Sequence, residues 1–197
     1  MKSMKQGWLA AIPMALVGAA ALTRLVPHPP NVAPMGAMAL FCGWHYGRKN
    51  WLAALGVPLA ALMVSDLILN NFVYHLGGEG GWTWFYVGAG WTYAAMALEV
   101  VWGWLALRRF SATRLAGASV GASLVFFAVS NFGVWHTARL FEPPMYPHTL
   151  AGLEECYVAG LPFLANGLLG DLVYSAVLFA AYLLAVRPQL AKAGAEA

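Results

Sequence analysis

The sequence predicts an all-α, polytopic membrane protein, a six-helix transmembrane bundle formed by a single domain over residues 1–197. Of these residues, 61% are hydrophobic and 10% are charged, whereas average soluble domains are roughly 45–50% apolar and about 25% charged. The apolar residues form long runs nearly free of charge, as in helices that cross a bilayer. This composition excludes a soluble enzyme and a coiled coil, and two cysteines are too few for a disulfide-held secreted domain.

Each predicted helix is a mostly apolar run, and a full span needs about 20 such residues. The spans 8–26, 33–46, 51–73, 84–107, 113–135 and 161–186 are separated by segments rich in charge, glycine or proline. The second span is short, so it is either a tilted span or a re-entrant segment. The first has a basic start and small residues at 18–21, as a cleaved signal peptide would, but its removal would spoil the charge balance.

Positive charge predicts the orientation of the bundle, because cytoplasmic loops carry an excess of Lys and Arg. With six spans and cytoplasmic N- and C-termini, only Arg24 and Arg139 lie outside. The inside then carries Lys2, Lys5, Arg48, Lys49, Arg108, Arg109, Arg114, Arg187 and Lys192. We therefore expect a multi-pass protein of a bacterial inner membrane. The net charge of +3 reflects this topology, so nucleic acid is not expected as a partner.

Three ionisable residues, Asp66, Glu99 and Asp171, lie within predicted spans, where a charge is costly and marks a functional candidate. At a rise of 1.5 Å per residue, Asp66 and Asp171 fall about 10 Å and 15 Å from the outer ends of their spans. Glu99 falls in the inner half, where the sequence assigns it no role.

Two asparagines accompany the outer carboxylates: Asn70 follows Asp66 by one helical turn, and Asn131 lies near the outer end of the fifth span. We expect these residues and Asp171 to form the polar floor of a pocket that opens to the outside. The alternative is that Arg24, at the outer end of the first span, pairs with Asp66 or Asp171 and only ties helices together.

The rim and walls of this pocket are predicted from the outer segments. Arg24 and His28 would stand at the rim, and Tyr86 and Trp91 would form stacking walls for a large, partly planar ligand. The glycine-rich loop 75–81 is flexible enough to act as a lid. The alternative for the aromatic residues is the belt that membrane proteins place at the bilayer interface.

Small residues recur every four positions on two spans, at Ala11, Ala15 and Ala19 and again at Gly117 and Gly121. This spacing lets helix backbones approach closely in lipid. It predicts either packing within the bundle or a docking face for another membrane protein.

Six helices in 197 residues, the alanine spacing, the outward pocket and the lack of an ATP-binding loop are found together in one known group. The chain resembles the substrate-binding S-components of energy-coupling-factor (ECF) vitamin transporters. In that family the first helix packs on a coupling subunit that works with ATPases. The resemblance assigns this docking role to Ala11, Ala15 and Ala19.

Within that group the chain is most similar to solitary cobalamin-uptake members of the BtuM type, through His28, Asp66 and Tyr86. Part of that family has a cobalt-binding cysteine in the loop after the third span. Residues 74–83 contain no cysteine, and His75 is the residue there that could be an axial ligand to cobalt. The resemblance implies cobalamin as the transported ligand and no intrinsic cofactor.

We therefore expect an uptake protein that binds a vitamin or cofactor from the periplasmic side. One alternative is a transition-metal transporter that uses the outer histidines His28, His75 and His136. A second is an intramembrane enzyme with Asp171 and His136 as acid and base, although no nucleophile or metal motif accompanies them. A third is a structural subunit that docks through its alanine and glycine faces.

Overall fold

The computed structural model describes residues 2–189, and it gives side chains for 11–184 and 187–189. This part of the chain is all-α with six helices: α1 (Lys2–Leu22), α2 (Met35–Tyr46), α3 (Trp51–Ile68), α4 (Ala89–Ala106), α5 (Ala112–Thr137) and α6 (Leu150–Ala180). Single π-helical turns continue α3 and α6, at Leu69–Val73 and Ala181–Val186. Short 3₁₀ turns follow α1 and α5, at Thr23–Leu25 and Ala138–Leu140.

Side-chain caps define where three of the helices begin. The side chains of Asn50, Ser111 and Thr149 each accept a hydrogen bond from a backbone N–H in the first turn of α3, α5 and α6, at 3.1, 3.1 and 3.2 Å. Such caps satisfy N–H groups that have no partner inside the helix. The last helix, α6, begins at Leu150, directly after its cap residue Thr149. The predicted start of the last span at 161 is therefore wrong by eleven residues.

Two other predicted boundaries also change. The fourth helix begins at Ala89 rather than at 84, after Gly88 adopts a left-handed conformation (φ 86°) that glycine accepts readily. The fifth helix continues to Thr137 rather than ending at 135, and because α6 begins at Leu150, the segment between these two helices comprises residues 138–149.

The short helix α2 lies at the centre of the bundle. Its residues 36–43 are all buried, and it contacts each of the other five helices. Its twelve residues span about 18 Å, whereas the hydrocarbon core is about 30 Å thick. The segment predicted as span 33–46 is therefore a short central helix that does not reach across a bilayer by itself.

Two glycines allow α2 and α4 to pack backbone against backbone. A Cβ atom at Gly43 would collide with the carbonyl oxygen of Val100, and one at Gly103 would collide with the backbone of Leu40. This close contact holds residues 40–43 of α2 against residues 100–103 of α4.

Three helical segments of the described residues are long and apolar enough to cross a membrane: Trp51–Val73, Ala112–Leu140 and Leu150–Gln189. Large apolar side chains point away from the bundle along these segments, for example Leu52, Val64, Val177 and Leu184. Such a surface needs lipid around it, since soluble proteins rarely expose large apolar patches. By helix length and hydropathy the chain is a multi-pass membrane protein, and the lipid bilayer is its partner.

Candidate functional site

A cavity of about 380 Å³ extends from the α1–α2 connection into the bundle. Its lining comes from that connection, the first turn of α2, the segment that follows α3, the middle of α4, the second half of α5 and the middle of α6. Of the residues predicted for a site, it contains Arg24, His28, Asn131 and Asp171. Sequence reasoning missed other members of its lining, among them Ser123, Phe126, Phe127, Phe163 and Tyr74, and assigned no role to Glu99.

Asp171 forms one side of the cavity floor and is 5% exposed. Its Oδ2 accepts a hydrogen bond from Ser123 Oγ at 2.6 Å, and the carboxylate lies directly against Gly36. Gly36 lies in the first turn of α2, where free N–H groups and the helix dipole favour a negative charge. Any side chain at Gly36 would collide with the carboxylate, so this contact requires glycine.

Glu99 lies on α4 and lines the same cavity. It is 1% exposed, and its Oε2 has no hydrogen-bond partner among residues 11–184 and 187–189. It is near enough to Asp171 for the two negative charges to repel each other. Two carboxyl groups therefore face one cavity, although the sequence placed them in opposite halves of the membrane.

Arg24 pairs with Asp66 rather than with Asp171. Its Nη2 lies 2.8 Å from Asp66 Oδ1, and its Nη1 donates to Ser65 Oγ. Tyr93 donates its hydroxyl hydrogen to Asp66 Oδ2 at 3.2 Å. Asp66 does not line the cavity, so its geometry fits the alternative in which the ion pair ties the end of α1 to α3.

Four other predicted site residues lie outside the cavity lining. Asn70 is buried in the π-helical turn after α3, and His75 lies in the following loop with a positive φ of 50°. Tyr86 donates to Thr92 Oγ1 at 2.8 Å. Trp91 packs on α5, where its ring centroid is 5.1 Å from that of Phe132.

The alanines predicted to dock a partner, Ala11, Ala15 and Ala19, are all exposed on the outer side of α1. They therefore make no tight packing within the described bundle. Gly121 differs from them, because it packs against the Trp102 ring of α4.

The outer histidines do not converge. His28 lies at the cavity, His75 lies in its loop, and His136 and His148 lie together with ring centroids 6.1 Å apart. Within the described residues, no three His, Cys, Asp or Glu side chains are grouped so as to hold a metal ion. His136 also does not line the cavity that contains Asp171, so the predicted acid–base pair is not assembled there.

Comparison with known families gives one result: residues 4–193 match a family described as a family of unknown function (DUF6580). No curated protein and no solved structure matches the chain.

Proposed function

Because the chain belongs to the DUF6580 family, whose function is unknown, we propose a function from its geometry. It binds a compact, vitamin-sized solute in the cavity beside α2 and takes part in the uptake of that solute. The membrane is a bacterial inner membrane, with both termini in the cytoplasm, and the solute enters from the periplasmic side. This orientation follows from the distribution of Lys and Arg in the sequence.

The observation that carries the proposal is the cavity itself. Ligand pockets commonly have volumes of about 300–1,000 Å³ and combine apolar walls with a few placed polar groups. This cavity, of about 380 Å³, has the phenyl rings of Phe126, Phe127 and Phe163 on its walls and carboxyl groups on its floor. Buried carboxyl groups are expensive inside a membrane protein, which favours a functional role over a purely structural subunit.

The volume of the cavity favours a ligand smaller than cobalamin. A corrin ring with its nucleotide would have to remain largely outside about 380 Å³, and His75 does not line the cavity. Cobalamin as the ligand remains a prediction that is based on the family resemblance alone. Incubation of the purified protein with cobalamin, followed by desalting, tests it: a retained corrin absorption band would contradict our choice of a smaller ligand.

The exposed alanine face of α1 supports the remaining part of the proposal, in which uptake requires a partner. Small residues at Ala11, Ala15 and Ala19 allow a helix of another membrane protein to approach closely. An ECF-type coupling subunit with its ATPases is the partner that the family resemblance implies.

Filling the cavity tests solute binding. Gly167 lines the cavity and has open space where a side chain would begin, so Gly167→Leu should occupy the cavity without a backbone clash. Gly56→Leu is the matched control, since Gly56 is also helical and open but lies on the exposed side of α3. The measurement is the thermal unfolding midpoint in lipid nanodiscs during a screen of vitamins and small metabolites.

We expect at least one compound to raise the midpoint of the wild type and of Gly56→Leu, but not that of Gly167→Leu. Uptake of that compound into proteoliposomes would then be measured. Equal stabilisation of all three proteins, or of none by any compound, would refute binding in this cavity.

A further inference from the structure

The floor of the cavity carries two carboxyl groups without a matching positive charge. Arg24 is the one Lys or Arg side chain among the described lining residues, and its guanidinium group is committed to Asp66 and Ser65. Glu99 and Asp171 are left facing the cavity with no cation beside them. A buried pair of like charges is unfavourable unless something compensates it.

The two carboxyl groups differ in whether their oxygen atoms have hydrogen-bond partners. Asp171 already accepts a hydrogen bond from Ser123, and its carboxylate lies against Gly36 in the first turn of α2. Glu99, at 1% exposure, has an oxygen atom with no partner in the described part of the chain. Because buried polar atoms are nearly always hydrogen-bonded, this oxygen marks the position of a donor that the protein does not supply.

The side chains on the walls of the cavity indicate what kind of bound molecule would supply that donor. Phe126, Phe127 and Phe163 line it together with Tyr74 at its mouth. Aromatic rings attract cations through their faces and also bury the apolar body of an organic molecule. An inorganic cation would leave most of about 380 Å³ unfilled, so the walls favour an organic one.

We propose that the solute carries a protonated amine, whose N–H groups donate to Glu99 and whose charge is balanced by one negative charge that Glu99 and Asp171 share, the other carboxyl group being protonated. This inference rests on the proposed function, since it names the chemical class of the solute that the cavity takes. It assigns to Glu99 the selection of a cation over a neutral molecule, and Asp171 is the second carboxyl group of the pair.

The test compares small primary amines with alcohols of the same shape, benzylamine with benzyl alcohol and 2-phenylethylamine with 2-phenylethanol. Each is titrated at neutral pH against the wild type in lipid nanodiscs, and the unfolding midpoint gives the apparent affinity. Sodium chloride at matched ionic strength is a separate arm, since it reports binding of an inorganic cation.

We expect each amine to bind the wild type at least tenfold more tightly than its alcohol. Glu99→Gln should remove this preference, and it should not lower the midpoint without ligand, because a neutral amide replaces an uncompensated carboxyl group. Asp171→Asn should weaken the preference as well. Glu79→Gln is the matched control, as Glu79 lies exposed in the loop after α3, and it should behave like the wild type.

Four results would overturn the inference. The first is equal binding of amine and alcohol, and the second is an amine preference that persists in Glu99→Gln. The third is stabilisation by sodium chloride that equals stabilisation by the amines. The fourth is that no amine shifts the midpoint of the wild type, whatever the metabolite screen finds. If amine and alcohol bind the wild type equally and Gly167→Leu abolishes binding of both, the proposed function survives while the charge assignment fails.

Discussion

Removing either partner of the Arg24–Asp66 ion pair should destabilise the bundle strongly, whereas removing both should not. The variants are Arg24→Met, Asp66→Asn and the double variant. Asparagine keeps an oxygen that accepts from Tyr93, and Ser65 retains its hydrogen bonds to the carbonyl oxygens of Ala61 and Leu62. The substitutions therefore remove the charges and the hydrogen bond from Arg24 to Ser65, and they leave these neighbouring hydrogen bonds in place.

The size of the effect follows from burial. The side chain of Arg24 is 13% exposed and that of Asp66 is 5% exposed, so solvent screens the pair poorly. Leaving one buried charge unpaired costs about 3–5 kcal/mol, while replacing both charges is often nearly neutral. We expect each single variant to lose about 3–5 kcal/mol of unfolding free energy and the double variant to lose at most about 2 kcal/mol.

The assay is equilibrium unfolding by SDS in mixed micelles, followed by tryptophan fluorescence, with the four proteins arranged as a double-mutant cycle. Arg139→Met is the control, because Arg139 is exposed, and such a surface change should cost less than about 0.5 kcal/mol. Additive effects of the single variants would refute the reasoning. So would an Asp66→Asn protein that keeps its stability and loses solute binding, because Asp66 would then belong to the binding site.

Two further predictions concern glycines of α2. Gly36→Ala places a methyl group against the Asp171 carboxylate. It should lower the unfolding free energy by about 1–3 kcal/mol in the same assay and abolish stabilisation by the solute in nanodiscs. Unchanged solute binding would contradict the placement of the binding site beside Gly36. Gly43→Ala forces α2 away from the Val100 carbonyl and should cost about 3 kcal/mol or more, because backbone cannot yield as a flexible side chain does. The control Gly117→Ala, which has open space, should gain up to about 1 kcal/mol from helix propensity, and equal costs in both proteins would contradict the close contact.

The helices were predictable because their signals are local. Apolar runs and the polar residues between them place all six helices within a few residues of at least one end, when α6 is counted with its π-helical continuation to Val186. The true start of α6 also has a local signal, because Thr149 is a good N-cap residue, whereas the strongest apolar run begins only at 161. The short length of 33–46 was also visible, and it is the one sign in the sequence of a helix that does not span.

The site was predictable only in part, because its members are brought together by helix packing. From the sequence, Arg24 pairs equally well with Asp66 or Asp171, and only the structure distinguishes them. Depth estimates from predicted helix ends separated Glu99 from Asp171, whereas the position of α2 beside α4 brings both to one cavity. The phenylalanines of the walls could not be predicted as site residues, because they lie in apolar runs and phenylalanine is common in any transmembrane helix.

The central position of α2 has a consequence for how the protein is made. A twelve-residue helix is too short to leave the translocon as a stable span, because the backbone groups at its ends would meet hydrocarbon. Its closest backbone contact is with α4, which is synthesised some fifty residues later. The nascent chain must therefore keep α2 near the translocon, or at the bilayer surface, until α4 has emerged, so that membrane insertion and tertiary folding of this protein are a single event.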